Sequence, residues 1–299
     1  MVEITPSQSS SENRARAKGT TLRAGGFYYK GLQPSTISYN ETMPSRERSI
    51  RSEAIVLRHN DWGEADRLLW LYTREMGKVR AIAKGVRKPR SRKAGHLEPF
   101  TRVSLLLARG RDMWIVTQVE TVEAYLPLRE DLVRVGYASY VIELLDRFTY
   151  EEGENWNLYR LLVDTLAHLS QESDLSLATR YYDVRLLDLV GFRPQLFNCV
   201  VCGNDIQPQD QYFSAADGGI LCPDCGSNKP GVRPISVQAL RYLRHFQRSG
   251  YAEACRAHPP ESIYREMENL TQHYLTYLLE RGLNTPAFLR RVRKEANLT

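Results

Sequence analysis

Cys199-Val200-Val201-Cys202 and, nineteen residues further on, Cys222-Pro223-Asp224-Cys225 are two Cys-x-x-Cys pairs at the separation of a four-thiolate metal site. Each pair turns tightly enough to aim two sulfurs at one point. Gly203 and Gly226, directly after the pairs, are expected to supply the positive φ that such turns call for. Between the pairs, Gln211–Ser214 reads as a strand, Ala216–Gly219 as a turn and Ile220–Leu221 as the returning strand. This is the layout of a zinc-ribbon, with Zn2+ on Cys199, Cys202, Cys222 and Cys225. Four cysteines leave no open position for an activated water, so the ion is structural. Its binding energy, on the order of 10 kcal/mol, becomes folding energy. The alternatives are two disulfides, which go with export, or four buried thiols; nothing in the chain points to export.

Around this ribbon the chain has 299 residues, enough for two or three domains. An apolar fraction of 42% and a charged fraction of 25% are those of an ordinary globular protein. No apolar run reaches the ~20 residues of a membrane span, and the N-terminal region lacks the apolar core of a signal peptide. One metal-type quartet plus a lone Cys255 indicates a reducing, cytoplasmic compartment. The net charge of +6 permits an anionic partner without identifying one.

Residues 1–50 are rich in Ser, Thr, Gly and Arg, have no sustained apolar period, and are expected to be disordered or loosely packed. Glu3, Glu12, Glu41 and Glu47 argue against a transit peptide, and Met43 offers an alternative start. Over 51–125 the period is that of strands: Ala54–Leu57, Asp66–Tyr72, Val79–Ala83, Arg102–Ala108 and Met113–Val119. His59–Glu64 reads as a turn-rich loop, and Leu68, Trp70 and Tyr72 share one strand face. Five short strands with one long loop after the third predict a small closed barrel of the OB-fold type; an open sheet covered by helices is the alternative.

Over 126–299 the spacing is helical. Tyr137, Val141, Leu144, Leu145 and Phe148 make one stripe, and Leu158, Leu161, Leu162 and Leu166 make a second within Trp156–Leu169. Helices follow at Leu175–Val190, Val237–Gln247 and Glu261–Arg281, with a short one after Pro286 that carries Arg290, Arg291, Arg293 and Lys294. The ribbon, at 195–230, interrupts this series. The fold class is α+β and multidomain: an N-terminal OB-fold β-barrel and a C-terminal α-helical domain with an inserted four-cysteine zinc-ribbon.

The loop after the third strand concentrates charge. Lys84, Arg87, Lys88, Arg90, Arg92 and Lys93 put six cations into ten residues without one acid, while Gly85 and Pro89 keep the segment out of strand or helix. A polyanion is the natural counter-charge, and a nucleic-acid backbone supplies it at regular spacing. Phosphate contacts give affinity without sequence choice. Aromatic platforms for bases would add to it, the candidates being Trp62, Phe100 and Trp114, with Trp70 and Tyr72 assigned to the core.

Catalytic patterns are absent. The chain has no phosphate-binding Gly-rich loop, no dinucleotide fingerprint and no nucleophile elbow. Glu64 and Asp66 are close enough to suggest a metal-dependent nuclease, yet they lack a third carboxylate and suit a turn. His245, Cys255 and His258 have irregular spacing for a second metal site. The chemistry expected is binding, not catalysis.

Several of these segments, in this order, resemble the RecO family of bacterial recombination mediators: Ala54-Ile55-Val56-Leu57-Arg58, Trp62-Gly63-Glu64-Ala65-Asp66-Arg67-Leu68, Gly77, Ala83 through Ser91, His96-Leu97-Glu98-Pro99-Phe100, Gly191 through Leu196, and the two cysteine pairs. The resemblance covers about residues 52–299. Two departures are Trp62, where the family often has tyrosine, and the segment before residue 50. The resemblance implies an OB-fold, a helical domain with an inserted zinc-ribbon, and a non-enzymatic, nucleoid-associated role. That role would be to bind single- and double-stranded DNA, anneal complementary strands, and help load the RecA recombinase onto strands coated by single-strand-binding protein. It implies RecR and the acidic, apolar-tipped C-terminal tail of that coating protein as partners, the tail seated in a basic and apolar groove of the helical domain. Carried over residue by residue, the six loop cations would contact DNA and the four cysteines would hold zinc. The competing reading is an OB-fold and zinc-ribbon factor acting on RNA or in transcription.

Overall fold

The computed structural model describes residues 49–151 and 153–296. The loosely packed segment expected over 1–50 lies outside the described residues, apart from Ser49 and Ile50, which already belong to the first strand. Five strands, β1 (Ser49–Trp62), β2 (Asp66–Thr73), β3 (Gly77–Ala83), β4 (Arg102–Arg109) and β5 (Trp114–Glu123), close a barrel in the order β1-β2-β3-β5-β4. All pairs are antiparallel except β3 with β5.

β1 closes the barrel by pairing on both sides. Its first half lies along β4 from Ser49 opposite Ala108 to Ile55 opposite Arg102, and its second half lies along β2 out to Trp62 opposite Asp66. A bulge between Val56 and Arg58 bends it from one neighbour to the other. His59–Trp62, expected as a loop, is therefore strand. The apolar alternation stops at Leu57, but the hydrogen-bond ladder with β2 continues through polar, exposed residues.

Side-chain alternation sends Ala54, Val56, Leu69, Leu71, Val79, Val103, Leu105 and Leu107 into the barrel. The outward residues Ile55, Leu57 and Tyr72 are buried too, because one wall of the barrel packs against helices. Tyr72 thus belongs to the inter-element core, and Trp70 on the same face lies half-buried under the Arg58 guanidinium, 3.5 Å from its ring centroid.

The rest is helical: α1 (Pro127–Glu130), α2 (Leu132–Phe148), α3 (Trp156–Gln171), α4 (Leu175–Leu189), α5 (Pro223–Gly226), α6 (Val237–Arg248), α7 (Tyr251–Ala254), α8 (Glu261–Leu279) and α9 (Thr285–Ala296). The longer helices start where the residue types allow an N-cap. Asp131, Asn155, Asp174 and Ser236 accept backbone N–H bonds from the first turns of α2, α3, α4 and α6. For α9 the cap comes from α2, where the Glu143 carboxylate accepts from the amides of Asn284 and Thr285. Among the described residues no helix is long and apolar enough to cross a membrane.

A second sheet, in the order β7-β6-β8, consists of β6 (Gln211–Ser214), β7 (Gly219–Leu221) and β8 (Arg233–Ile235). Two of these strands were expected; β8 was not, since Arg-Pro-Ile is too short for a period to show. This sheet shares its apolar side with the helices. Phe213 meets Tyr274 of α8 edge-on with ring centroids 5.3 Å apart, and Ile220, Leu221 and Ile235 join the same core.

Barrel and helices are also joined by polar contacts. Lys78 of β3 donates to the Asp146 carbonyl (2.7 Å) and carboxylate (3.0 Å) at the end of α2. Arg102 donates to Glu53, which also accepts from the Tyr159 hydroxyl of α3. Next to Lys78, Gly77 has a φ of +64°, and a Cβ there would sit 2.0 Å from the Gly153 carbonyl oxygen. Gly77→Ala is expected to destabilise the fold by about 2 kcal/mol or more, the sum of a left-handed backbone and a backbone clash; urea denaturation measures it, and an unchanged midpoint would contradict this packing.

Candidate nucleic-acid interface and metal centre

The basic segment is anchored at several points. Val86 is fully buried in the barrel core, and the Gly85 amide donates to the Asp66 carboxylate at 2.7 Å. The Arg87 amide donates to the Ala65 carbonyl at 2.9 Å. Within the segment, Lys88 and Ser91 amides donate to the carbonyls of Gly85 and Lys88. The Lys93 ammonium donates to the carbonyls of Lys84 (3.0 Å) and Val116 (3.3 Å). These bonds make a compact turn cluster seated on the end of the barrel, with neither strand nor α-helix, as Gly85 and Pro89 suggested.

The six cations are not equivalent. Arg87 pairs with Asp61 (3.3 Å) and reaches the Gly63 carbonyl, so part of its charge is met by the β1–β2 hairpin. Lys84, Lys88, Arg90 and Arg92 are exposed and, among the described residues, have no carboxylate within ion-pair distance. Four uncompensated cations therefore share this barrel end. Glu98, the nearest acid after the segment, is engaged by Arg67 (3.0 Å) and His59 (3.4 Å). Burial would raise its carboxyl, but these two partners bring it below the usual range.

Asp61 and Gly63, both held by Arg87, flank Trp62, which is 53% exposed at the tip of the β1–β2 hairpin. The structure thus places Trp62 beside the cations, though it does so at a strand end. The other two stacking candidates are not available. Phe100, with a φ of 71°, turns into the core between barrel and helices because its amide bonds the Val56 carbonyl. Trp114 is buried in the barrel under Arg109.

Glu64 and Asp66 do not form a carboxylate pair for a metal. Asp66 is committed to the Gly85 amide, and among the described residues they belong to no cluster of metal-type ligands. His245, Cys255 and His258 are likewise not brought together. From residue types alone Asp61 is one member of the turn-rich loop His59–Glu64, and Asp66 reads as a strand entry with a turn and surface-pairing role. Their part is to hold the cationic turn to the hairpin, a partnership that no local spacing displays.

The cysteine quartet does assemble. The sulfurs of Cys199, Cys202, Cys222 and Cys225 all lie within 4.8 Å of one another, with Cys202 and Cys222 at 3.8 Å. A tetrahedral ion with ~2.3 Å bonds needs sulfur separations of about 3.8 Å, whereas a disulfide needs about 2.05 Å. Burial would raise the Cys199 thiol, but the amides of Cys202, Cys222 and Val201 aimed at its sulfur bring it down to about 6. These amides favour a thiolate, the form a metal binds. Gly203 has the expected positive φ of 77°. Gly226 does not; it is needed because a Cβ would come within 2.6 Å of the Tyr212 side chain. The residues fit a closed four-sulfur metal site.

Comparison with known proteins agrees with this architecture. Two family models match, described as Recombination protein O N terminal over residues 47–125 and Recombination protein O C terminal over residues 129–287. The DNA repair protein RecO of Roseiflexus sp. (strain RS-1) is 40% identical over 249 residues, covering 83% of this chain and 88% of that protein. RecO proteins of Dehalococcoides mccartyi (strain ATCC BAA-2266 / KCTC 15142 / 195) and Desulforamulus reducens are each 35% identical, covering 79% and 81% of this chain and 93% and 94% of their own lengths. With an OB-like barrel, a helical region and a four-cysteine cluster in that order, the chain belongs to the RecO family of DNA repair and recombination proteins.

Proposed function

We propose that this protein is a recombination mediator that binds single- and double-stranded DNA through the barrel end and anneals complementary strands. In this reading it also helps load recombinase onto strands coated by single-strand-binding protein. The observation that carries it is the set of exposed cations on the turn cluster, Lys84, Lys88, Arg90 and Arg92, with Arg87 and Lys93 behind them and Trp62 alongside. Annealing requires two phosphate backbones to approach while base edges stay free. Cations that meet phosphates, with one aromatic ring to hold a base, supply the first without obstructing the second. The role needs no bond to be made or broken, and the protein is read as a non-enzyme in the cytoplasm, associated with the nucleoid.

The partners proposed are RecR, the C-terminal tail of single-strand-binding protein and, indirectly, the RecA filament. A groove of about 550 Å3 between α3 and α4 supports the tail assignment. Leu161, Leu189, Tyr181 and Tyr251 give it apolar walls, and its lining includes the guanidiniums of Arg160 and Arg185, paired with Asp164 at 3.6 Å and Asp188 at 3.4 Å, which an acidic tail would take over. That mixture suits an acidic segment with an apolar tip. The quartet is proposed to hold one structural Zn2+ through Cys199, Cys202, Cys222 and Cys225, which suits borderline-soft Zn2+ in a closed tetrahedral thiolate site.

Salt dependence measures the charge involved. With four free cations on a single strand, log K falls against log salt with a slope of roughly −3, and with all six roughly −4. Replacing Lys84, Lys88, Arg90 and Arg92 together with Ala is expected to remove most of that slope in fluorescence anisotropy and to slow strand annealing at least tenfold. Unchanged affinity and annealing rate would overturn the reading, and a clear preference for RNA over DNA would favour the RNA-factor alternative. For the metal, elemental analysis is expected to find one zinc per chain. Stripping it with a chelator is expected to lower Tm by about 10 °C or more, because the ribbon shares its core with α8. A metal-free preparation with unchanged Tm would contradict a structural ion.

A further inference from the structure

A second concentration of unmatched positive charge lies on α6, far along the chain from the barrel. Its sequence places Ala239, Leu240, Leu243 and Phe246 in the core, while Arg241, Arg244 and Arg248 recur at i, i+3 and i+7 along another face. Several arginines elsewhere in the helical region meet carboxylates: Arg147 with Glu143, Arg180 with Asp183, Arg185 and Arg193 with Asp188, and Arg293 with Glu268. Among the described residues, Arg241, Arg244 and Arg248 have no carboxylate within ion-pair distance.

The three are held as a built surface. The Arg248 guanidinium lies 3.9 Å from the Phe197 ring centroid and the Arg244 guanidinium 5.1 Å from the same ring. Arg244 also donates from Nε to the Leu196 carbonyl at 2.7 Å, tying α6 to the segment that leads into the cysteine ribbon. Burial, and then the like charge of Arg248, lower the Arg244 pKa. Arg241 also borders an open trough of about 570 Å3, where it is joined by Gln238, Tyr242 and His245 of the same helix. α6 packs on α4, α8 and α7, so this face is part of the helical region and not an extension of the loop at the barrel end.

The spacing suits a nucleic-acid backbone. Arg241 to Arg248 spans about 10 Å of helix axis, and a B-form strand places about three phosphates over that length. Tyr242 along the trough adds a ring face of the kind a nucleic-acid site carries beside its charges, and Phe197 steadies the two guanidiniums above it. An acidic peptide would use the charge but not the regular track. We propose that the Arg241–Arg244–Arg248 face of α6, with the adjoining trough, is a second nucleic-acid surface that holds a segment of strand separate from the one at the barrel end. Two cationic tracks on one molecule would let it hold both partners of an annealing pair. The inference stands on the geometry of α6 and does not require the loop to bind DNA.

The test uses the full chain and a fluorescein-labelled oligo-dT. Arg244 is left intact because of its bond to Leu196, and Arg241→Ala/Arg248→Ala is compared with Arg241→Lys/Arg248→Lys. The alanine pair is expected to make the salt slope shallower by at least one and slow annealing about tenfold with an unchanged melting curve; the lysine pair is expected to retain most of both. In the background of the four-alanine loop variant, the residual salt-dependent binding is expected to vanish with the alanine pair. Equal slope and equal residual binding in the alanine pair would overturn the proposal. So would displacement from this face by a polyglutamate peptide together with no effect of the pair on DNA binding, which would mark it as a site for an acidic protein segment. Loss of DNA binding in the α6 pair with none in the loop variant would uphold the inference while removing the loop from the account.

Discussion

Like charges crowded onto one barrel end repel one another, and the fold of the N-terminal half is arranged around holding them there. Lys84, Arg87, Lys88, Arg90, Arg92 and Lys93 fall within ten consecutive positions that contain no acid. The barrel restrains the segment by backbone and core, with Val86 buried, the Gly85 amide on Asp66 and the Arg87 amide on Ala65. Among the described residues, only Arg87 is met by a carboxylate, Asp61, at 3.3 Å. Anchoring through backbone groups keeps the cationic ends of Lys84, Lys88, Arg90 and Arg92 available. Anchoring through acids would have neutralised them.

The same economy of contact runs through the helical half. β1 serves both neighbours and closes the barrel, so its outer residues Ile55 and Leu57 are free to enter the helical core. The cysteine ribbon has its own sheet but no separate core, since Phe213, Ile220 and Ile235 pack with α8 and its neighbours. A metal bound by the quartet would therefore steady the helical region as well as the ribbon, and the Arg244 bond to Leu196 would carry that order to α6.

Much of this was legible from residue types and spacing. The cysteine quartet, the five strands and the five principal helices appear where periodicity places them, because short-range pattern and tertiary burial agree there. The misreadings fall where long-range pairing decides. His59–Trp62 has no apolar alternation, yet β2 holds it in the ladder. Phe100 follows a polar segment and looks available, yet the bond from its amide to the Val56 carbonyl turns it inward. Gly226 resembles Gly203 in sequence, but one makes room for Tyr212 and the other takes up a left-handed turn. The union of Trp62 with the cations depends on Asp61 and Gly63 reaching Arg87 across more than twenty residues of chain, and no local motif announces it.

The central claim is that DNA seats on the turn cluster and on the hairpin tip together. Amide hydrogen exchange of the full chain, with and without a single-stranded oligonucleotide, tests it most directly. The account predicts slower exchange over Gly85–Lys93 and over Trp62–Ala65, with the opposite end of the barrel, at Gly110–Met113, unchanged. Unaltered exchange in both segments under saturating oligonucleotide would contradict it.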